Sequence, residues 1–320
     1  MNDPSKAIID IEEQRRWLKD HRVATGASWN DLSKRVGVPS GTLSQFGGAN
    51  GYAGDESRPA EGVYRYRQTL MAQAEIEIEA PEVPDYYETE TSRQIGNLLR
   101  MAQRGRIVVA AMGAGLGKTK TARRHAACFS NVFVATMSPS TAGVNTMQIE
   151  VLEALGERDA AGTPQKLSRR IRERVKDAKS ALIVIDEAQH LTEKAIEEIR
   201  SWNDAVGVGI ALLGNESVMQ RLEGGNRRAA FAQMFSRVAL RLVRSQPLRA
   251  DIDAMIGAWQ IDGAPETAFL HKIAMTPGAL RGATMALELG SMIAASEQKP
   301  LALDHLQDAW AQLSSRPVLA

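Results

Sequence analysis

The spacing of hydrophobic positions changes along the chain and is most strand-like in its middle part. Between about residues 93 and 246, short apolar runs rich in β-branched residues alternate with segments of helical spacing. The runs are Ile107–Met112, Val132–Met137, Leu182–Asp186, Gly209–Leu213 and Val238–Val243. Buried strands that alternate with helices are typical of a mainly parallel sheet covered by helices. The pattern therefore predicts an α/β core over residues 93–246.

The regions on either side of this core show helical spacing. Residues 1–72 are expected to form a small helical domain. Residues 73–92 are expected to be a linker, because EIEIEAPEVPDYYETETS is acidic, contains two prolines and lacks helical periodicity. Residues 247–320 are expected to form a helical domain whose helices break at Gly263-Ala-Pro265, Thr276-Pro-Gly278 and Gln298-Lys-Pro300.

The stretch SWNDLSKRVGVPSGTLSQF, residues 28–46, has the spacing of a helix-turn-helix. Gly37 would permit the tight turn, and Ser40 is expected to cap the second helix. The inward-facing positions are expected to be Leu32, Val36, Val38, Leu43 and Phe46. The positions left to meet a DNA groove are Thr42, Ser44 and Gln45. A small helical module that docks another protein is the alternative interpretation.

Composition narrows the class of protein without identifying it. The chain is 44% hydrophobic and 24% charged with a net charge of +1, which excludes a uniformly basic nucleic-acid coat but allows a local basic patch. Cys128 is the only cysteine, so an intrachain disulfide or a multi-cysteine metal site is excluded. The charged N-terminal sequence and the absence of a run of about 18 apolar residues predict a cytoplasmic protein without a membrane span.

The first apolar run is followed by glycines in the stretch AAMGAGLGKT, residues 110–119. A P-loop, G-x-x-x-x-G-K-[ST], would have its first glycine at position 112, where this chain has methionine. Lys118 is expected to reach the β and γ phosphates of a nucleotide, and Thr119 to ligate Mg²⁺. Met112 is expected to alter nucleotide affinity or turnover without abolishing it. The residues expected to cradle the nucleotide are Gly113, Gly115, Leu116, Gly117, Lys118, Thr119 and Lys120.

Two further apolar runs end in polar side chains of the kind that nucleotide hydrolysis needs. ALIVIDE, residues 181–187, ends in two carboxylates, and charge at the end of a buried strand is costly unless it has a use. Asp186 would hold Mg²⁺ through water, and Glu187 would polarise the attacking water. Asn215 follows the next run and is either an orienting group for that water or an ordinary turn residue.

An arginine and a basic helix complete the candidate chemistry. Arg237 precedes the last run and is either a surface residue or a group that enters a neighbouring subunit's phosphate site. KLSRRIRERVKDAK, residues 166–179, has seven basic and two acidic side chains. Its apolar residues at helical spacing turn the basic face outward, which suits phosphate contacts, although a merely solvated face is the alternative. The apolar positions are Leu167, Ile171, Val175 and Ala178.

The order of these motifs resembles that of AAA+ ATPases, and most closely the MuB family of ATP-dependent target-DNA-binding transposition proteins. The segments that carry the resemblance span nearly the whole chain and include GLGKT, LIVIDEAQHL, LLGN, GGNRRAAFAQMFSR and TPGALR. Methionine at 112 is a departure from that family's usual glycine. The resemblance implies Walker A roles for Lys118 and Thr119, Walker B roles for Asp186 and Glu187, sensor 1 for Asn215, an arginine finger acting in trans for Arg237, and sensor 2 for Arg281.

This resemblance also implies a function. Such proteins assemble as ATP-dependent filaments on double-stranded DNA, largely without sequence specificity, deliver the target to a DDE transposase and stimulate it. Their Mg²⁺-dependent ATP hydrolysis, stimulated by DNA and transposase, drives disassembly and target immunity. In a filament, DNA contacts are expected from loops that face the duplex, so the favoured residues are Lys166, Arg169, Arg170, Ser138, Ser140 and Thr141.

Two other functions remain open at this point. A helicase-loader-type AAA+ ATPase shares the same core, but the series GGNR, FSR and PGALR argues against it. A DNA-binding regulator that uses ATP only as a structural switch would not need the intact pair Asp186 and Glu187. For a phage-encoded member of the family, the expected location is the host cell cytoplasm.

Overall fold

The structure, a computed structural model, describes residues 9–48, 52–79, 86–218 and 236–314. The chain divides into two compact units, Met1–Ala80 and Pro81–Ala320. Part of the stretch that carries the family resemblance, GGNRRAAFAQMF at 224–235, lies outside the described residues. Within the described ranges, no helix is both long enough and apolar enough to cross a bilayer.

Within the described residues, the first unit has four helices: α1 (Ile11–Thr25), α2 (Trp29–Val36), α3 (Ser40–Phe46) and α4 (Ser57–Glu79). The Ser28 side chain caps α2 by accepting from the Asp31 amide at 3.2 Å, and Gly37 ends it at a φ of 76°. The five positions expected to face inward are all buried, so the predicted packing of α2 and α3 is confirmed. The use of these helices to read DNA stays a prediction.

The predicted cap of α3 is wrong. Pro39 occupies the N-cap position with φ −52° and ψ 139°, and Ser40 is the first helical residue. The ring of Pro39 fixes its φ and its backbone is extended, so the chain enters the helix only at the following residue. No side-chain hydrogen bond caps this helix.

Both ends of the segment 73–92 are helical, whereas the sequence predicts a linker without helical periodicity there. Helix α4 continues to Glu79, and α5 (Glu90–Ala102) begins at the far end of the segment. The start of α5 is fixed by a capping box, in which Thr89 and Ser92 each accept from the other's backbone amide, at 2.9 and 2.8 Å. The acidic, proline-containing composition did not reveal these two helix ends.

The second unit is built on a parallel sheet in the order β2-β3-β4-β1-β5. The five predicted strands are confirmed: β1 (Ile107–Met112), β2 (Val132–Thr136), β3 (Leu182–Asp186), β4 (Gly209–Gly214) and β5 (Val238–Arg244). Helix α5 precedes β1, and the helices between the strands are α6 (Lys118–Cys128), α7 (Val144–Ala154), α8 (Pro164–Lys176) and α9 (Glu193–Val206). Strands β1, β3 and β4 are buried along their whole length. Because the strands are parallel, their carboxyl ends meet at one edge, which places the P-loop, Asp186 and Asn215 together.

Four helices follow the sheet: α10 (Arg249–Ala258), α11 (Ala264–Ala274), α12 (Ala279–Ser296) and α13 (Leu303–Ser314). The predicted breaks at Thr276-Pro-Gly278 and Gln298-Lys-Pro300 lie between these helices, whereas Gly263 precedes α11 and Ala264 and Pro265 begin it. The four helices have an apolar core of their own that includes Ile252, Met255, Leu270, Leu287 and Leu306. The fully buried Asp251 carboxylate accepts from the Thr91 amide at 2.8 Å and the Leu248 amide at 2.9 Å. We call the four helices α10 to α13 the lid. The Asp251 carboxylate joins the lid to the start of α5.

Candidate nucleotide-binding site

A cleft of about 600 Å³ opens at the carboxyl edge of the sheet, between the sheet and the lid. Its walls come from the start of α5, the P-loop, the ends of β3 and β4, and the first turns of α12. This volume is within the range of pockets that hold small-molecule ligands. The cleft brings together most of the residues that the sequence predicts for the nucleotide site: Gly115, Leu116, Gly117, Lys118, Thr119, Lys120, Glu187, Asn215 and Arg281.

The P-loop backbone has the shape of an anion cradle. Gly115 and Gly117 adopt left-handed conformations, with φ of 77° and 79°, and α6 begins at Lys118. A Cβ on Gly115 would lie 2.0 Å from the carbonyl oxygen of Gly278, so this glycine also lets the lid approach. Glycines with positive φ next to a helix N-terminus turn several amides toward one point, which suits phosphate.

The P-loop pattern expects a glycine at 112, but in this structure the close backbone contact that requires glycine is made at 113. A Cβ on Gly113 would lie 2.3 Å from the carbonyl oxygen of Ser245, and the Gly113 amide donates to Arg244 at 2.8 Å. The Met112 side chain is fully buried in the core beneath the sheet, among residues such as Leu98 and Leu116. The methionine is therefore a core residue at the end of β1, and the close backbone approach is made one position later.

We expect Met112→Gly to lower the free energy of unfolding by about 3–5 kcal/mol. It empties a buried side-chain volume and adds a glycine to a strand. Urea unfolding followed by circular dichroism measures this loss. Met112→Leu, which conserves volume, should cost less than about 1.5 kcal/mol. An unfolding free energy for Met112→Gly equal to that of the wild type would contradict the structural role of Met112.

Lys118 is buried within the P-loop. Its Nζ donates to the carbonyl oxygens of Met112 at 2.8 Å and Gly113 at 2.9 Å. Burial lowers the pKa of Lys118, while the carboxylates of Glu187 and Asp186 act in the opposite direction. This ammonium group is thus held beside the cradle, where phosphate charge would favour its protonated form.

Thr119 and Asp186 face each other across the loop. The Thr119 hydroxyl donates to Asp186 Oδ2 at 2.7 Å, and the other carboxylate oxygen accepts from the Glu187 amide at 3.0 Å. Asp186 is fully buried. A hydroxyl and a carboxylate beside a phosphate cradle match the oxygen donors that Mg²⁺ prefers, so these two residues fit the expected metal.

Glu187 lines the cleft with its backbone in the left-handed region, at φ 54° and ψ 39°. Its carboxylate accepts from the side-chain amide of Gln189. The side-chain oxygen of Gln189, Oε1, in turn accepts from the Asn215 backbone amide at 3.3 Å. Gln189 is a residue that sequence reasoning missed, since the stretch DEAQH gives no rule for the position after Glu187-Ala188.

The Asn215 side chain lies in a local turn. Its Oδ1 accepts from the Ser217 amide at 3.0 Å and from the Ser217 hydroxyl at 2.6 Å. Asn215 nevertheless lines the same cleft as Glu187. Asn215 is therefore a turn residue that also lines the cleft, so its role as an orienting group for water stays a prediction.

The lid and the start of α5 close the remaining sides of the cleft. Arg281 lies in the first turn of α12, and its positive charge contributes to the lowered pKa of Lys118. Tyr86 lines the cleft beneath the guanidinium group of Arg124, which lies 4.0 Å from the ring centre. Tyr87 packs on the lid core, and burial raises its pKa. Aromatic side chains in the wall of the cleft suit a nucleobase.

Arg237 lies far from this cleft. It directly precedes β5, whose first residue pairs with Ile107 at the amino end of β1. Strand β1 has six residues, so at about 3.3 Å per residue Arg237 is roughly 20 Å from the P-loop. Its guanidinium group is exposed and forms an ion pair with Asp204 at 2.9 Å. As placed, Arg237 cannot contact the nucleotide site of its own chain.

The predicted DNA-facing residues lie near the carboxyl edge of the sheet, at the end of β2. The 3-10 turn Pro139–Thr141 follows β2, and the Asn145 side chain in α7 donates to the Gly162 carbonyl just before α8, at 3.0 Å. The predicted apolar stripe is confirmed for Leu167, Ile171 and Val175, which are buried, and Ala178 is half-buried.

The basic residues of α8 differ in their surroundings. Arg170 and Arg174 both form ion pairs with Glu157, which offsets part of the expected positive charge. Lys166 and Arg169 are exposed, and neither has an ion-pair partner within the described ranges. The start of the helix therefore offers two unneutralised cations in Lys166 and Arg169, whereas Glu157 offsets the charges of Arg170 and Arg174.

Sequence comparisons identify relatives along nearly the whole chain. Residues 102–222 match the family described as "AAA domain", and residues 236–313 match "Mu B transposition protein, C terminal". The "ATP-dependent target DNA activator B" proteins of Escherichia phages Mu and D108 are each 34% identical over 307 residues, 96% of both chains. A "Mu-like prophage FluMu DNA transposition protein B" of Haemophilus influenzae is 32% identical over 82% of this chain and 91% of its own.

Solved structures show the same fold. The ADP form of the Aeropyrum pernix ORC2 protein has a TM-score of 0.55 at 14% identity and covers 69% of this chain and 66% of its own. The Aeropyrum pernix ORC1 protein in complex with DNA has a TM-score of 0.55 at 18% identity, covering 73% and 68%. The AAA+ fold is therefore confirmed, and with phage relatives at 34% identity along 96% of its length, the chain belongs to the Mu B transposition protein family of AAA+ ATPases.

Proposed function

We propose that this protein binds double-stranded DNA in an ATP-dependent and largely sequence-nonspecific manner and assembles on it as a filament. In that form it delivers target DNA to a DDE transposase and stimulates transposition, while ATP hydrolysis drives disassembly and target immunity. The names of the phage relatives, ATP-dependent target DNA activators, support the DNA and ATP dependence. Family membership gives no support to the helicase-loader alternative.

Each part of the cleft has a role in this proposal. The P-loop amides bind the phosphates, and Lys118 places a positive charge beside them. Thr119 and Asp186 would hold Mg²⁺, which supplies charge neutralisation at the phosphates. Glu187 accepts a proton from the attacking water, and Asn215 orients that water. Arg281 reaches the nucleotide from the lid, so nucleotide binding draws the lid toward the P-loop.

The observation that carries the proposed assembly is the distance between Arg237 and the P-loop. The cleft contains the groups to which we assign nucleotide binding and hydrolysis, but the candidate arginine finger lies at the opposite edge of the sheet. An arginine at that edge can serve a site only on an adjacent subunit. Hydrolysis is then coupled to assembly, and an ATPase assay tests this. Turnover that rises neither with protein concentration nor with added double-stranded DNA would contradict the proposal.

The proposed DNA surface of the second unit combines the start of α8 with the turn after β2, and the N-terminal unit would contact DNA through residues of its own. Lys166 and Arg169 supply exposed positive charge for phosphates. Arg170 contributes less, because Glu157 neutralises it. Hydroxyl groups that can donate to phosphate oxygens come from Ser138, Ser140 and Thr141. The N-terminal candidates remain Thr42, Ser44 and Gln45, which are at least partly exposed.

We expect Lys166→Ala/Arg169→Ala to flatten the salt dependence of DNA binding. Each lost phosphate contact lowers the slope of log affinity against log salt by about 0.9, so the double variant should lose about 2. Fluorescence anisotropy with duplex DNA at several salt concentrations measures the slope. Lys176→Ala/Lys179→Ala removes the same charge at the other end of the segment and should leave the slope unchanged. Equal effects of both pairs would show that only the net charge matters.

A further inference from the structure

The Gln189 side chain connects two parts of the cleft that the sequence places 28 residues apart. Its Nε2 donates to Glu187 Oε2, while its Oε1 accepts from the Asn215 amide at 3.3 Å. Gln189 lies in the 3-10 turn Ala188–His190 directly after β3, and Asn215 directly follows β4. One amide group therefore bridges the carboxyl ends of two neighbouring strands.

The position and polarity of this amide are fixed by the backbone around it. The backbone N–H of Asn215 can only donate, so it faces the side-chain oxygen of Gln189. The side-chain NH₂ group of Gln189 is then left to face the Glu187 carboxylate. Gly214 leaves space for the amide and for Val218, since a Cβ there would lie 2.5 Å from both Gln189 Oε1 and Val218 Cγ2. A side chain at 214 would displace this amide.

We propose that Gln189 is a positioning residue for ATP hydrolysis, which holds the Glu187 carboxylate in its working orientation and ties it to the end of β4. The inference rests on the proposed role of Glu187 in activating water. With Oε2 held by the Gln189 amide, Oε1 is the oxygen left to accept the proton of water. Because the same amide binds the backbone at Asn215, a movement of the β4 end is passed to Glu187.

The expected signature is a loss of rate without a loss of nucleotide binding. Gln189→Met keeps the length of the side chain and removes both hydrogen bonds. Hydrogen bonds to charged groups are strong enough that kcat should fall roughly ten- to hundredfold. The KM for ATP and the affinity for a non-hydrolysable analogue should change less than about twofold, because Gln189 is not among the residues that line the cleft.

A matched control exists elsewhere in the same unit. The buried Gln148 side chain of α7 donates to Glu198 Oε1 at 3.1 Å, so Gln148→Met breaks a similar glutamine–glutamate hydrogen bond away from the cleft. This control should keep the wild-type kcat even if it lowers the melting temperature. An equal fall of kcat in both variants would mean that loss of folding stability, and not positioning, explains the effect.

Combined variants separate positioning from packing. In a Glu187→Gln background, Gln189→Met should lower the rate no further, since the two residues act together. The exchange Glu187→Gln/Gln189→Glu restores an amide–carboxylate pair but should stay as slow as Glu187→Gln alone. Gly214→Ala should lower kcat like Gln189→Met, without changing either partner. Recovery of the wild-type rate by the exchange would overturn the inference.

The outcomes also distinguish this inference from the proposal on which it rests. Unchanged turnover in Glu187→Gln would refute the role of Glu187, and the inference would fall with it. Lost turnover in Glu187→Gln together with a wild-type kcat in Gln189→Met would overturn the inference alone. A higher KM with an unchanged kcat in Gln189→Met would also overturn it, because that result indicates a binding role.

Discussion

The Glu187→Gln variant is expected to bind ATP as tightly as the wild type and to hydrolyse it about 100- to 10,000-fold more slowly, the usual contribution of a positioned general base. Glu187 lines the cleft directly after the Asp186 carboxylate, so the substitution removes a charge and leaves the cradle intact. Single-turnover hydrolysis and equilibrium binding of a fluorescent ATP analogue measure the two quantities separately.

The same variant is also expected to dissociate more slowly from DNA. If hydrolysis drives disassembly, Glu187→Gln should remain on double-stranded DNA with ATP longer than the wild type. The control is Glu193→Gln, which removes a carboxylate from the first turn of α9, outside the residues that line the cleft. Turnover by Glu187→Gln at the wild-type rate would refute the role assigned to Glu187.

We expect Arg237→Ala to lower the ATPase rate of the assembled protein by about a thousandfold or more, in the range found for arginine fingers. The guanidinium group lies at the amino edge of the sheet, paired with Asp204, where only a neighbouring subunit can use it. The ATPase rate of a mixture of Lys118→Ala and Arg237→Ala proteins tests this role directly. Lys118→Ala subunits retain Arg237 but lack the phosphate-binding lysine, whereas Arg237→Ala subunits retain an intact cleft.

A mixture of these two inactive proteins should hydrolyse ATP faster than the sum of its components. In the mixture, Arg237 of a Lys118→Ala subunit can face the intact cleft of an Arg237→Ala subunit. Arg200→Ala is the matched control, since Arg200 also pairs with Asp204 on the same surface but has no predicted catalytic role. That variant should keep the wild-type rate within a few-fold. A mixture no more active than its components would contradict catalysis in trans.

Much of the fold could be predicted from the sequence because its signals are local. The strands β1, β3 and β4 are buried on both faces, so each is a continuous apolar run. The lid helices break at glycine and proline, which act through their own backbone. The residues of the P-loop and of ALIVIDE meet at one cleft because parallel strands share an edge.

What the sequence did not reveal depends on neighbours that are distant along the chain. Gln189 reaches Glu187 within its own turn, but it reaches Asn215 only because β3 lies beside β4. The need for glycine at 113 depends on the backbone at Ser245, more than 130 residues later. The ion pair between Arg170 and Glu157 crosses the loop between α7 and α8 and weakens a charge that a count of basic residues treats as available.

The most direct test of the proposed function is electron microscopy of the protein with double-stranded DNA, compared with and without ATP. We predict filaments for the wild type with ATP or a slowly hydrolysed analogue, and none without nucleotide. Lys118→Ala, which removes the ammonium group held beside the phosphate cradle, should form none under either condition. Separate monomers of the wild type in every condition, or filaments of Lys118→Ala equal to those of the wild type, would contradict the account.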